Sequence, residues 1–218
     1  MNMREKIIEE ALELFSSKGY EKTTVSNIVS ASGSSRGGFY HHFQSKEEVL
    51  SAITDNYLNR FSDRLKGVVA KHTGSQLELF IKLFETIIDF KIVEISDWSE
   101  LHKLYSFKGN LPIILQISRS FEMNVSELYE SIISVGVTNK EFQCEYPKQV
   151  AGLWTREFMI LISQVQKAHT SKTGFEEALS SQIEFNQKLV SGMLGVETTD
   201  LNLSKKLKEY FDVMEGLK

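Results

Sequence analysis

Apolar residues along this chain recur at intervals of three and four rather than two, which is the spacing of one face of an α-helix. In the first stretch Ile7, Ile8, Ala11, Leu12 and Phe15 form one stripe, with Glu5, Glu9, Glu10 and Glu13 largely elsewhere. Lys18-Gly19 supplies a stop. Thr23 or Thr24 can cap a short second helix whose inward residues are Val25, Ile28 and Val29 and which ends at Gly33. Ser34-Ser35 starts a third. Ser45-Lys46-Glu47-Glu48 has the form of a capping box ahead of a fourth, whose stripe continues through Val49, Leu50, Ile53, Tyr57, Phe61, Leu65 and Val68.

Beyond this the pattern predicts helices over residues 77–95, around 98–107, and from Asn110-Leu111-Pro112, where proline suits a first turn. Pro147 opens another, and from Val150 to Val165 apolar residues cover nearly every side, so that helix must be buried on more than one face. A helix over 175–194 places Leu179, Ile183, Asn186, Val190 and Met193 on one side. The tail from Leu203 repeats Leu207, Phe211 and Met214 and is expected to dock. With only two prolines and no run of strict alternation, the fold expected is all-α.

A chain of 218 residues has room for two units, and 41% hydrophobic with 25% charged residues is ordinary for a globular protein. Charges at Arg4, Glu5, Lys6, Glu9, Glu10 and Glu13 interrupt what a secretory signal would need. The longest purely apolar run, Phe158 to Ile162, falls far short of the roughly 20 residues that cross a bilayer. The single cysteine, Cys144, cannot form an internal disulfide. These features lead to the expectation of a cytoplasmic protein with no membrane partner. The net charge of −4 excludes a chain that is basic throughout, yet no Asp or Glu occurs from Lys22 through Lys46 although the chain holds 29 acids. That window contains Lys22, Arg36 and Lys46 with His41 and His42, the local basic footprint that nucleic-acid binding requires.

Advancing 100° per residue along the third helix turns Phe39 and Phe43 together into a small core. The opposite face is then Gly37 and His41, with Gly38 and Tyr40 at its edges. Two glycines in a helix cost about 1 kcal/mol each relative to alanine. Close approach of the backbone to a groove floor or phosphate would compensate. His41 offers hydrogen bonds and an aromatic plane, Tyr40 a hydroxyl, and Lys46 an ammonium in the first turn of a helix whose free N–H groups already favour an anion. Thr24 is a cap, a DNA contact or both. Ser34, Ser35 and Arg36 are turn and surface residues or further contacts, and the His41-His42 pair could be a solvated feature, with His42 nearer the inner face. One rival pattern is Gly33-Ser34-Ser35-Arg36-Gly37, which matches the Gly-x-Ser-x-Gly of a hydrolase elbow. That chemistry needs a strand before the turn, whereas a Ser/Ala-rich helix precedes it here. No catalytic residues, metal ligands or cofactor are therefore expected, and the chain is not expected to be an enzyme.

The segment from Thr23-Thr24-Val25 through Gly33-Ser34-Ser35-Arg36-Gly37-Gly38-Phe39-Tyr40-His41-His42-Phe43 and on to Ser45-Lys46-Glu47-Glu48-Val49-Leu50 closely resembles the DNA-binding module of the TetR family of repressors. The likeness covers roughly residues 4 to 50. Behind them only helicity, length and a turn from Gly136 to Phe142 are similar. The resemblance implies a three-helix DNA-binding domain with a helix-turn-helix at 1–48, in which Tyr40, His42 and Lys46 hold phosphates. It also implies a larger helical effector-binding and dimerisation domain at 49–218 and a repressor released from a palindromic operator by a small molecule. An architectural DNA-binding protein without an effector is the alternative. For the effector cavity that the resemblance implies, the candidates are Trp98, His102, Tyr105, Arg119, Met123, Arg156, Glu157 and Phe158. Arg156-Glu157 interrupts an otherwise apolar helix, so it lines either a cavity or an interface. The apolar surface of 147–168 and 175–195 exceeds what one small domain buries and points to a homodimer, with Val190 as a probe of its seam.

Overall fold

The computed structural model describes residues 2–96, 110–168, 175–201 and 203–216. Among the described residues the chain runs through nine α-helices and a short 3-10 turn, with no strand. The helices are α1 (Met3–Lys18), α2 (Val25–Ser32), α3 (Arg36–His42), α4 (Lys46–Lys71), α5 (Gln76–Ser96), α6 (Leu111–Thr138), α7 (Pro147–Ala168), α8 (Phe175–Leu194) and α9 (Ser204–Gly216). The helix expected around 98–107 lies outside the described residues.

Local chemistry sets the ends of these helices. Asn2 accepts from the Glu5 N–H and the Glu5 carboxylate accepts from the Asn2 N–H, both at 2.9 Å, a box the hydrophobic pattern did not reveal. At the other end of α1, Gly19 takes φ 88° and donates to the Phe15 carbonyl. The expected box at the start of α4 is offset: the Ser45 hydroxyl accepts from the Glu48 N–H at 3.2 Å, but the Glu48 carboxylate reaches past Ser45 to the Gln44 N–H.

The chain divides into two compact units, one drawn from Met1–Asp63 with Glu94–Ser120, the other from Arg64–Val93 with Phe121–Lys218. In the first, Ile7, Ala11, Phe15, Ile28, Phe39, Phe43 and Val49 form a closed core to which Ile117 of α6 also belongs. Asn110, fully buried just before α6, locks this unit together: its side-chain carbonyl accepts from the Tyr20 N–H at 2.9 Å and its amide donates to the Phe15 carbonyl at 3.0 Å.

In the second unit α7 packs along α8, and Phe80, Phe84, Tyr129, Trp154 and Phe158 form an aromatic centre with no exposed surface. Gly136 permits the turn that follows α6, because a Cβ there would lie 2.2 Å from the Phe142 ring. The Glu141 and Phe142 N–H groups both close onto the Gly136 carbonyl. Val190 departs from expectation. It is 0% exposed inside its own unit, so it is core and no probe of a seam. The outward side of these two helices carries Ile160 and Phe185 instead, 46% and 52% exposed.

Candidate DNA-binding surface

Three short helices and two caps hold the surface in place. Thr24 is the cap of α2: its hydroxyl accepts from the Asn27 N–H at 3.2 Å while the Asn27 side chain accepts from the Thr24 N–H at 3.1 Å. Its neighbour Thr23 is buried and donates to the Gly19 carbonyl at 2.8 Å. Helix α2 ends at Gly33 with φ 65° and ψ 17°, the left-handed conformation that glycine adopts without a Cβ penalty. Three residues later the chain is helical again, because Ser35 caps α3 by accepting from the Gly38 N–H at 2.9 Å. Helix, tight glycine turn, helix is the geometry of a helix-turn-helix.

Phe39 and Phe43 are buried, as the helical advance predicts. Gly37, Tyr40 and His41 are exposed on the remaining face, and Gly38 is half-buried behind the cap. A Cβ at Gly37 would come no nearer than 4.0 Å to any neighbour, at the Ser35 hydroxyl, so nothing inside the protein demands glycine there. The His41 and His42 rings meet edge-on at 4.9 Å, with His42 half-buried. Arg36 is exposed and joins Ser26, Val29, Ser30, Gly33 and Ser34 around an open cleft of about 290 Å³. Lys46 is less free than its position implied: its ammonium donates to the Tyr20 carbonyl at 2.9 Å and sits 4.0 Å from the centre of the Tyr20 ring.

Tyr20 is the residue that the sequence reading missed. Its N–H goes to Asn110, its carbonyl to Lys46, and its hydroxyl to the Glu47 carboxylate at 2.9 Å. Glu47 is held below the ordinary carboxylate range, first by its own backbone N–H and then by the Tyr20 hydroxyl. Arg4, also missed, lies 5.2 Å from the centre of the Phe43 ring at the end of α3.

Residues 7–53 match the family model for bacterial regulatory proteins of the tetR family. Over those residues the chain is similar to the DNA-binding module of the TetR family. It is 35% identical to the uncharacterized HTH-type transcriptional regulator YvdT of Bacillus subtilis over 99 residues, 45% of this chain and 46% of YvdT. It is 24% identical to the HTH-type transcriptional repressor KstR2 of Rhodococcus jostii over 156 residues, 71% of this chain and 74% of KstR2. The match therefore spans about half the length of the first relative and about three quarters of the second. In fold it resembles a putative TetR-family regulator from Syntrophomonas wolfei (TM-score 0.63, 23% identity, 89% of this chain and 98% of that one). It also resembles SmeT in its triclosan complex (TM-score 0.60, 18% identity, 88% and 90%).

Among the effector candidates, Trp98, His102 and Tyr105 lie outside the described residues. Arg119 and Met123 are exposed, Arg156 is exposed and paired with Glu122 at 3.3 Å, and Glu157 is half-buried near Gln182. Phe158 alone of these described candidates enters the aromatic centre.

Proposed function

We propose that this protein is a homodimeric transcriptional repressor that binds a palindromic operator through α3 and releases it when a small molecule binds the second part of the chain. The observation that carries this reading is the exposed Gly37/His41 face, raised on a rigid core, in a segment with no acidic residue. In it residues 1–48 read DNA and 49–218 sense and dimerise. Tyr40, His42 and Lys46 contact phosphates, Thr24, Ser34, Ser35 and Arg36 flank them, and His41 reads a base edge with Gly37 and Gly38 allowing close approach. KstR2, named a repressor, and SmeT, solved with triclosan, support repression and a small-molecule effector. The protein works in the cytoplasm. The test is selection by the purified protein from random duplex DNA. A palindrome with half-sites about one helical turn apart supports the proposal, and pools without enrichment refute it.

A further inference from the structure

The aromatic centre of the second unit contains polar atoms that the packing does not explain. The Tyr129 hydroxyl and the Trp154 indole N–H are both fully buried and face each other, yet neither makes a hydrogen bond of ordinary geometry to the other or to any described group. Buried polar groups are nearly always paired, because an unmade hydrogen bond forfeits the full cost of desolvation. The two groups are close. Burial pushes the Tyr129 phenol up and the neighbouring Trp154 N–H pulls it partly back, while the two rings stand edge to face at 6.0 Å. Around them Phe80 lies 4.6 Å from Tyr129, and Phe158 stacks on Trp154 at 5.9 Å with an interplanar angle of 13°.

We propose that Tyr129 and Trp154 form the recognition point for a flat, uncharged, aromatic or conjugated molecule whose single carbonyl or hydroxyl oxygen accepts from both. The indole N–H only donates, and the phenol donates equally well, so one acceptor oxygen satisfies the pair. The ring faces and edges of Phe80, Phe84 and Phe158 beside the pair suit a planar π-system. An ionised headgroup would have to leave water for an enclosure of aromatic carbon, which selects a neutral ligand. The rings are closed in this structure, so entry requires them to separate, and a ligand that favours the separated arrangement shifts the population toward it. The regulatory consequence rests on the repressor reading above; the binding itself does not.

The test uses three naphthalenes of nearly one shape: 2-acetylnaphthalene, 2-isopropylnaphthalene and 2-naphthoate. The full-length protein is titrated without DNA and followed by calorimetry. The ketone should bind saturably and at least tenfold tighter than either the hydrocarbon or the carboxylate. Tyr129→Phe should erase most of that preference, leave hydrocarbon affinity unchanged, and raise the melting temperature of the ligand-free protein, because it removes an unpaired hydroxyl. Trp154→Phe, followed by calorimetry, should lose the same preference. Equal affinity for ketone and hydrocarbon overturns the proposal, as does no saturable signal with any of the three or a lower melting temperature for ligand-free Tyr129→Phe. Normal ketone binding by a protein that selects no DNA would instead sink the repressor reading and leave this site standing.

Discussion

Lys46 donates to the Tyr20 carbonyl with one of an ammonium's three N–H groups, and in the first turn of α4 its charge also lies where a phosphate is favoured. Lys46→Ala should therefore weaken binding to all sequences alike and lower the salt dependence by roughly one ion per contact. Fluorescence anisotropy at two salt concentrations reads both; an unchanged slope would show that Lys46 serves Tyr20 alone. His41 behaves differently because it faces outward from the last turn of α3, where its exposed ring meets that of His42 edge-on. His41→Ala should cost on the order of 1 to 3 kcal/mol on the preferred site and relax choice at one base position. Uniform weakening across operator variants would remove it from the base-reading set.

At the scale of elements, Asn110→Ala removes two buried hydrogen bonds and leaves the Tyr20 N–H unpaired, although the Phe15 carbonyl keeps Gly19 as a donor. It should cost roughly 1 to 3 kcal/mol in urea denaturation, and a variant as stable as the parent would contradict the lock. What the sequence could reveal follows from the range of each interaction. Helix faces and the caps at Thr24 and Ser35 rest on neighbours within a few residues, so periodicity and spacing expose them, and the buried Phe39/Phe43 pair with its exposed opposite face was legible on the same grounds. The Tyr20 hub was not, because its partners stand 26, 27 and 90 residues away. Val190 failed for a related reason: an apolar stripe shows that a face is buried without showing whether the same chain or a partner covers it. Trp154 lies in the 150–165 stretch read as buried on more than one face and nothing in the pattern singled out Tyr129, since only packing reveals a polar atom left unpaired.

At the scale of the molecule, the dimer makes a claim that separates two kinds of apolar residue. Light scattering should give twice 24.9 kDa. Phe185→Lys, on the outward side of α8, should weaken the dimer without unfolding the chain, whereas Val190→Lys should unfold it by burying a charge. A monomeric parent at micromolar concentration would refute the dimer. The central claim, that the open face of α3 meets DNA, is tested most directly through Gly37, where nothing in the protein obstructs a side chain. Leucine there should hold or improve helix propensity, with circular dichroism confirming the fold, and should put bulk where the groove floor must approach. Measured against the sequence the parent selects, folded Gly37→Leu should lose operator affinity by at least tenfold; parental affinity in that variant would show that this face does not meet DNA.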